Sequence, residues 1–500
     1  MNISKLKQVL SKNPVWAFTT YFTQGFPFTI TRTVVPLFLR DMKVSLESIG
    51  LTSLYGLPWI LKFLWSPQVD ETATKRNWLL WAQGLIGVLI LVASIFVSVP
   101  IGIKVVPIIF FVVAFVAATH DIAIDGYYMA ALDKSDQAKF VGFRVMAYRI
   151  AMMTATGVIV TIGTLTSWTL AFVSAGLIML LFFLFHKFFL REVEPYGKSF
   201  RKLFYGLLKF KKLFGFIFVS AVVIAIRWFT SSDIYSSIQA KYVFLKKVGF
   251  ADYIGVLLLL SLVIVAAFSG KIKKWLTKDP DSNYSKAFLS FVDRKGMGVV
   301  LAFIILLRTG EWMLSTMQSP FFVDLGIKVH YGWIVSFIAL PMSIIGAMVG
   351  GWAIHKFGIK KTIWPFIVLQ NVTNILYMLV AFYLSKYLLL NTGVETPVGI
   401  GAANIAVVCS MIAFDQFSGG LGTAVLMTYL MRICVTEYKA SHYAIGSGLM
   451  NLGGMFAGVA SGFLAGWLGY AWTFGISFAA SVPGMILIAF LPNLYDQDKK

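Results

Sequence analysis

The stretch VAATHDIAIDGYYMAAL, Val116 to Leu132, sets one histidine and two aspartates inside an otherwise apolar run. Asp121, Asp125 and Tyr128 recur at i, i+4 and i+7, so a single helix face carries all three. A charged side chain at the centre of a membrane helix costs about 2.5–3.5 kcal/mol on insertion scales, so each embedded acid requires a partner, water or a purpose. The chemistry open to such a face is reversible protonation, with the proton affinity of an acid set by whether a competing cation is near. Asp125 and Asp121, in that order, are the leading proton-coupling candidates. His120 titrates near neutrality when solvated, yet a lone helical histidine is more commonly a satisfied packing residue.

The helix after this stretch supplies cations. Counted from the shared end of the two helices, Arg144 lies at the depth of Asp125 and Arg149 at the depth of Asp121, roughly 10–16 Å from the helix ends at 1.5 Å per residue. Two roles are open to such pairs: neutralising buried charge and fixing helix packing, or exchanging the arginine for a proton during a functional cycle. Further along, Glu311, Ser315 and Gln318 form a second polar stripe at i, i+4 and i+7, with Glu311 a further proton candidate or a local ion pair with Arg308. Asp415 precedes SGGLG, whose glycines permit close helix contact. Tyr21, Gln24, Phe28 and Thr31 share a face of the first apolar segment beside Arg32; aromatic faces, amides and a cation suit a sugar bearing a carboxylate, although most aromatics in such segments simply pack. The candidate binding set is Tyr21, Gln24, Arg32, Tyr128, Arg144, Arg149, Ser315, Gln318 and Asp415. Lys62, Asp70 and Arg76, with Lys360 and Lys361, read as a charge network at helix ends and loops.

These residues need helices that cross a bilayer. The 500-residue chain is 58% hydrophobic and 13% charged with a mean hydropathy of +0.79, against about 25% charged in soluble domains. Apolar runs of about 20 residues recur, the length a helix needs to cross a hydrocarbon core of about 30 Å. Spans are expected at 14–40, 46–66, 78–100, 106–132, 138–165 and 168–190, then at 213–233 and 251–270, then at 297–325, 330–354, 361–386, 398–432, 440–467 and 469–491. The expected fold is all-α: two six-helix bundles, 1–190 and 297–500, separated by a basic stretch at 191–296 that carries two extra helices, about 14 in all. The first apolar run reads as a retained span and not a signal peptide.

The net charge of +21 follows from basic loops on one membrane side and not from nucleic-acid binding. Lys5, Lys7, Lys12, Lys75, Arg76, Lys134, Lys139, the clusters at 198–212 and 271–295, Lys356, Lys360, Lys361 and Lys439 all fall on the side of the N-terminus. Arg40, Lys43, Lys104, Lys328 and the group Lys241, Lys246 and Lys247 fall opposite. Both termini are therefore expected in the cytoplasm. Cys409 and Cys434 are too far apart along one helix to bond, and no metal or cofactor is expected. No nucleophile elbow, HExxH helix or P-loop occurs, which argues against an enzyme or an ATP-driven pump.

GLPWILKFLWSP from Gly56 and ALPMSIIGAMVGG from Ala339 repeat a Leu-Pro pair early in the second helix of each half, followed by short basic loops. Repeats of this kind imply two bundles about a central site with alternating access, and the loop after Trp352 resembles the signature of the major facilitator superfamily. LKFLWSPQVD at Leu61, ATHDIAIDGYYMAAL at Ala118 with GFRVMAYRIAMM at Gly142, and FDQFSGGLGTAVLMTYLMRIC at Phe414 together resemble AmpG-type muropeptide permeases, a branch that includes acetyl-coenzyme A transporters. TQGFPF and SHYAIGSGLMNLGG also fit. His120 stands where that branch usually has Gln, and Glu71 where the permeases usually have Arg. The resemblance implies a proton-coupled importer of cell-wall fragments, amino sugars with or without peptide, in a bacterial inner membrane. Its partners would be a small solute, protons and the bilayer, with the oligomeric state open. An exchanger of acetyl-coenzyme A or another anionic metabolite, and a non-transporting sensor or scaffold, remain alternatives.

Overall fold

The structure, a computed structural model, describes residues 12–62, 65–66, 69, 73–132, 134–194, 226, 228–242, 253, 255–257, 260, 270, 289–291, 293–388, 400–433 and 439–492. The described residues are helical, without a strand, and nine of their helices are long and apolar enough to cross a membrane. This is the multi-pass helical fold that the hydropathy predicts; the two extra spans expected at 213–233 and 251–270 lie almost wholly outside the described residues. The helices named below are α1 Asn13–Thr29, α2 Val35–Asp41, α3 Leu46–Leu51, α4 Leu57–Leu61, α5 Lys75–Phe96, α6 Gly102–Ala131, α7 Lys134–Met153, α8 Val160–Leu165, α9 Trp168–Phe189, α10 Asp233–Lys241, α11 Met297–Leu307, α12 Thr309–Asp324, α13 Lys328–Ile334, α14 Leu340–Phe357, α15 Ile359–Tyr383, α16 Ala402–Arg432 and α17 Lys439–Leu487. Their outward faces are apolar: Ile95, Ile108 and Leu181 are 65–69% exposed, as side chains bathed in lipid should be. Gln83, His120, Asp121 and Asp415 are buried.

Two departures from regular helix matter. The segment expected at 46–66 is not one helix: α3 gives way to a 3-10 turn at Thr52–Gly56 before α4, because the Gly-Leu-Pro sequence withholds a backbone donor there. The ninth expected span, 297–325, is interrupted at Arg308, whose φ of −90° and ψ of −1° separate α11 from α12. π-helical segments join α1 to α2 at Ile30–Val34, α7 to α8 at Thr154–Ile159, and α13 to α14 at Val335–Ala339; such insertions re-aim side chains and recur at functional sites. Gly469, at φ 79°, separates the two expected helices that α17 joins.

The chain forms two compact units: unit 1 takes Met1–Val44, Tyr55–Ser236 and Lys328–Ser336, and unit 2 takes Ser45–Leu54, Ser237–Ile327 and Phe337–Lys500. In unit 1, α5 packs on α6 and α9, and α1 on α6 and α7. Its interior is aromatic, with Phe172 5.3 Å from Phe38 and 5.2 Å from Phe110, centroid to centroid. Asp41, at the end of α2, accepts from the Trp168 indole at 2.7 Å and from Lys328 Nζ at 2.5 Å.

Unit 2 pairs α14 with α16, α12 and α11 with α17, and α15 with both α16 and α17. Its apolar core gathers Phe303, Ile363, Ile367, Val425, Tyr429 and Met450. Small residues set the α14–α16 distance: a Cβ on Gly420 would press on the Ser343 carbonyl and come within 2.6 Å of the Ala347 nitrogen, whereas a Cβ on the adjacent Gly419 meets nothing within 4 Å. Neighbouring Gly→Ala substitutions should therefore diverge. Gly420→Ala is expected to lose about 1–3 kcal/mol through overpacking, and Gly419→Ala to stay within about 0.5 kcal/mol, read as detergent-solubilised thermal midpoints. Equal midpoints would contradict the close approach.

Candidate functional site

Unit 1 gathers its embedded charges around the two aspartates of α6. Asp121, 10% exposed at its side chain, has both oxygens engaged: Oδ1 accepts from Gln24 Nε2 on α1, and Oδ2 from Lys62 Nζ just after α4. One helical turn on, Asp125 is held differently. Tyr21 Oη donates to Oδ1 at 2.8 Å and Arg144 Nη2 donates to the same oxygen at 3.1 Å. Oδ2 of Asp125 has no partner among the described residues, and the side chain is 37% exposed. Burial and bonding thus separate two acids that the helical spacing alone makes equivalent.

Aromatic rings frame the Asp125 pair. The Arg144 guanidinium lies 4.2 Å from the Tyr21 ring centroid and 4.6 Å from that of Tyr128. The two tyrosines meet edge to face at 5.6 Å. A guanidinium between two aromatic faces gains about 0.5–2 kcal/mol from each ring, more when desolvated. The cation is therefore anchored by more than its carboxylate.

The depth count predicts Arg144 with Asp125, and the structure pairs them. It also matches Arg149 to Asp121, and there the structure differs: Arg149 reaches Met152 Sδ at 3.8 Å, and Asp121 takes Lys62. Equal depth does not fix rotation about the helix axis, and the broken second segment swings Lys62 inward. Lys62 is thereby removed from the expected helix-end charge network. Arg76 caps α9 instead, donating to the carbonyls of Leu190 and Lys187, each at 2.8 Å, and to Glu192 at 3.4 Å. Asp70 lies outside the described residues, and Lys360 and Lys361 are exposed in the first turn of α15. The expected sugar-binding face of α1 is largely consumed by these contacts, since Tyr21 and Gln24 serve the aspartates. Phe28 packs on Trp59 at 5.0 Å, and the Arg32 guanidinium lies against Gly56.

His120 is fully buried, with neither ring nitrogen bonded among the described residues. His186, by contrast, bonds Gln83 at 2.8 Å and Thr19 at 2.9 Å.

Unit 2 has its own polar centre, a cavity of about 240 Å³ lined by Arg308, Glu311, Ser315, Gln318, Gln370, Asn374 and Asp415 among others. Glu311 Oε1 accepts from Arg308 Nη2 and Oε2 from Gln370 Nε2 at 2.5 Å; the local ion pair expected for it is present. Gln318 donates to the Tyr377 hydroxyl. Asp415 Oδ2 accepts from Gln416 Nε2 at 3.1 Å. The sequence stripe of Glu311, Ser315 and Gln318 is thus brought together with Asp415, while Gln370, Thr373 and Asn374 were not anticipated. Their signal was legible: QNVTN at Gln370–Asn374 places four polar residues in an otherwise apolar helix.

The sequence profile of the Major Facilitator Superfamily matches residues 17–292. An anhydromuropeptide permease of Escherichia coli K12 is 21% identical over 477 residues, covering 93% of this chain and 77% of that protein. An uncharacterised protein of Haemophilus influenzae is 22% identical over 506 residues, covering 100% of this chain and 99% of its own length. Among solved structures, that of a peptide transporter in complex with sulfate superposes with a TM-score of 0.62 at 15% identity, covering 96% of this chain and 94% of that one; it establishes likeness of fold.

The Lys62–Asp121 pair is open to a double-mutant cycle. Lys62→Met and Asp121→Asn should each lower the thermal midpoint, the first by stranding a buried carboxylate, and the double variant should recover part of the loss. The coupling is expected at about 0.5–3 kcal/mol; additive effects would dissolve the pair.

Proposed function

The chain belongs to the major facilitator superfamily, and from that membership we propose that this multi-pass transporter imports cell-wall-derived amino sugars or muropeptide-like solutes together with protons. Transport is by alternating access of two bundles, 1–190 and 297–500, in a bacterial inner membrane with both termini cytoplasmic. The identity of 21% to the anhydromuropeptide permease, spread over 93% of the chain, supports the solute class.

The observation that carries proton coupling is the asymmetric hold on Asp125. Tyr21 and Arg144 crowd one carboxylate oxygen and leave the other open, so a proton arrives at Oδ2 without first displacing a donor. Protonation removes the charge that Arg144 answers, and the guanidinium is freed toward the solute or toward the tyrosine faces. Deprotonation restores the pair. Asp121, with both oxygens engaged, is the reserve member of the couple, and Glu311 with Arg308 is the corresponding pair in unit 2. In unit 1, Tyr21 and Gln24 act in this scheme through the aspartates they hold; Ser315, Gln318 and Asp415 line the polar cavity of unit 2. Lys360 and Lys361, exposed in the first turn of α15, act as loop charges that differ between access states.

Proteoliposomes loaded with the full chain test this reading. An inward proton gradient should drive accumulation of radiolabelled anhydromuropeptide, and Asp125→Asn should reduce that accumulation at least tenfold while sparing solute counterflow. Undiminished gradient-driven accumulation in the variant rejects the proton assignment, and no muropeptide movement in the unaltered protein rejects the solute.

A further inference from the structure

The cavity of unit 2 has an unbalanced wall. Two carboxylates, Glu311 and Asp415, face one guanidinium, Arg308. Glu311 takes Arg308 and Gln370 for itself. Asp415, 7% exposed, accepts from the Gln416 amide at 3.1 Å and has the hydroxyls of Thr373 and Tyr377 beside it, all neutral groups. No cationic side chain pairs with it among the described residues. An anion buried without a counter-ion is costly, far more than a neutral group left unbonded, so the position takes up either a proton or a cation from outside the chain.

A second, independent feature lies in the same wall. Asn374, 2% exposed, lines the cavity with its Nδ2 unbonded among the described residues, as is Arg308 Nε. Buried donors of this kind are rare in folded proteins and call for an acceptor. The remaining lining is Ser315, Gln318, Ser343, Gln416 and Thr423 hydroxyl and amide groups, with Leu314 the main apolar member. A volume of about 240 Å³ falls below the range of about 300–1,000 Å³ common for drug-sized ligands, so it takes one small polar moiety.

We propose that this cavity binds a primary ammonium group carried beside a hydroxyl or carbonyl acceptor, as in an amino sugar or amino-acid amide, with Asp415 as the counter-ion of the ammonium and Asn374 as donor to the acceptor. The ammonium's three donors restore the charge balance that the protein leaves open. The physiological meaning rests on the transport reading above; the binding chemistry does not. Glu311 is set aside as the counter-ion because its charge is already answered by Arg308.

The full-length protein in lipid nanodiscs tests this by calorimetry, with no gradient and no transport. The probes are glucosamine against glucose and alaninamide against propanamide. At least one amine is expected to bind ten or more times more tightly than its neutral counterpart, and Asp415→Asn to erase that preference. Gly419 lines the cavity and a Cβ there meets nothing within 4 Å, so Gly419→Leu should extend into the space and weaken amine binding at least tenfold, independently of whether Asp415→Asn folds. Equal affinity for amines and neutral counterparts overturns the proposal, as does a preference that survives either substitution. Loss of gradient-driven accumulation in Asp415→Asn, without any amine preference in the unaltered protein, assigns the residue to proton transfer instead. Because the readout is equilibrium binding, an amine preference stands even if muropeptides are not transported, and muropeptide transport stands if the preference is absent.

Discussion

The organising constraint is that hydrocarbon supplies neither water nor counter-ions, so every charge inside this molecule must be answered by another group of the same chain or by cargo. The four carboxylates of the two polar centres meet that demand to different degrees among the described residues. Asp121 and Glu311 are closed, with a cation and an amide on separate oxygens. Asp125 is half closed, its two donors sharing one oxygen. Asp415 has amide and hydroxyl partners but no cation. The order of compensation is an order of availability, and it is the physical basis on which the proposed roles are divided.

Building these arrangements requires helices that are not uniform. Lys62 reaches Asp121 from a segment that a 3-10 turn has rotated, and Arg308 sits at the junction where one span becomes two helices, three residues from the Glu311 it pairs with. Close packing does the rest. The Gln370 amide, which serves Glu311, occupies the space a Cβ on Gly422 would take, so the glycine run after Asp415 admits a polar side chain from the neighbouring helix as well as a close backbone. In unit 1 the stem of Lys75 lies where a Cβ on Gly126 would fall, and the same lysine pairs with Glu194 at 3.9 Å.

How much of this could be read in advance depended on what fixes each contact. The multi-pass helical class needed only hydropathy, whereas the breaks inside 46–66 and 297–325 did not show in it. The Asp125–Arg144 pair was legible because two helices joined by a short turn keep a common depth, and depth can be counted. The Asp121 partner was not, because its rotation is set by a break in a third helix whose φ/ψ pattern no periodicity announces. In unit 2 the stripe from Glu311 to Gln318 was visible as i, i+4, i+7 spacing, yet its meeting with Gln370 and Asn374 is a tertiary fact; the run QNVTN marked those residues as costly in lipid without naming their neighbours.

Arg144 shows why a static ion pair and a moving one differ in more than strength. If its only favourable contact were Asp125, neutralising that acid would leave a bare guanidinium in a poorly hydrated interior, and the protonated state would be inaccessible. The rings of Tyr21 and Tyr128, at 4.2 and 4.6 Å, supply contacts that persist when the carboxylate charge is gone, each worth about 0.5–2 kcal/mol. Tyr21 is also the donor that holds Asp125 Oδ1, so one residue supports both members of the pair and keeps the acid's geometry when the cation departs. Two arrangements within a few kcal/mol of each other are what a ligand or proton can tip; on the proposed reading, the aromatic frame is what brings the second arrangement into that range.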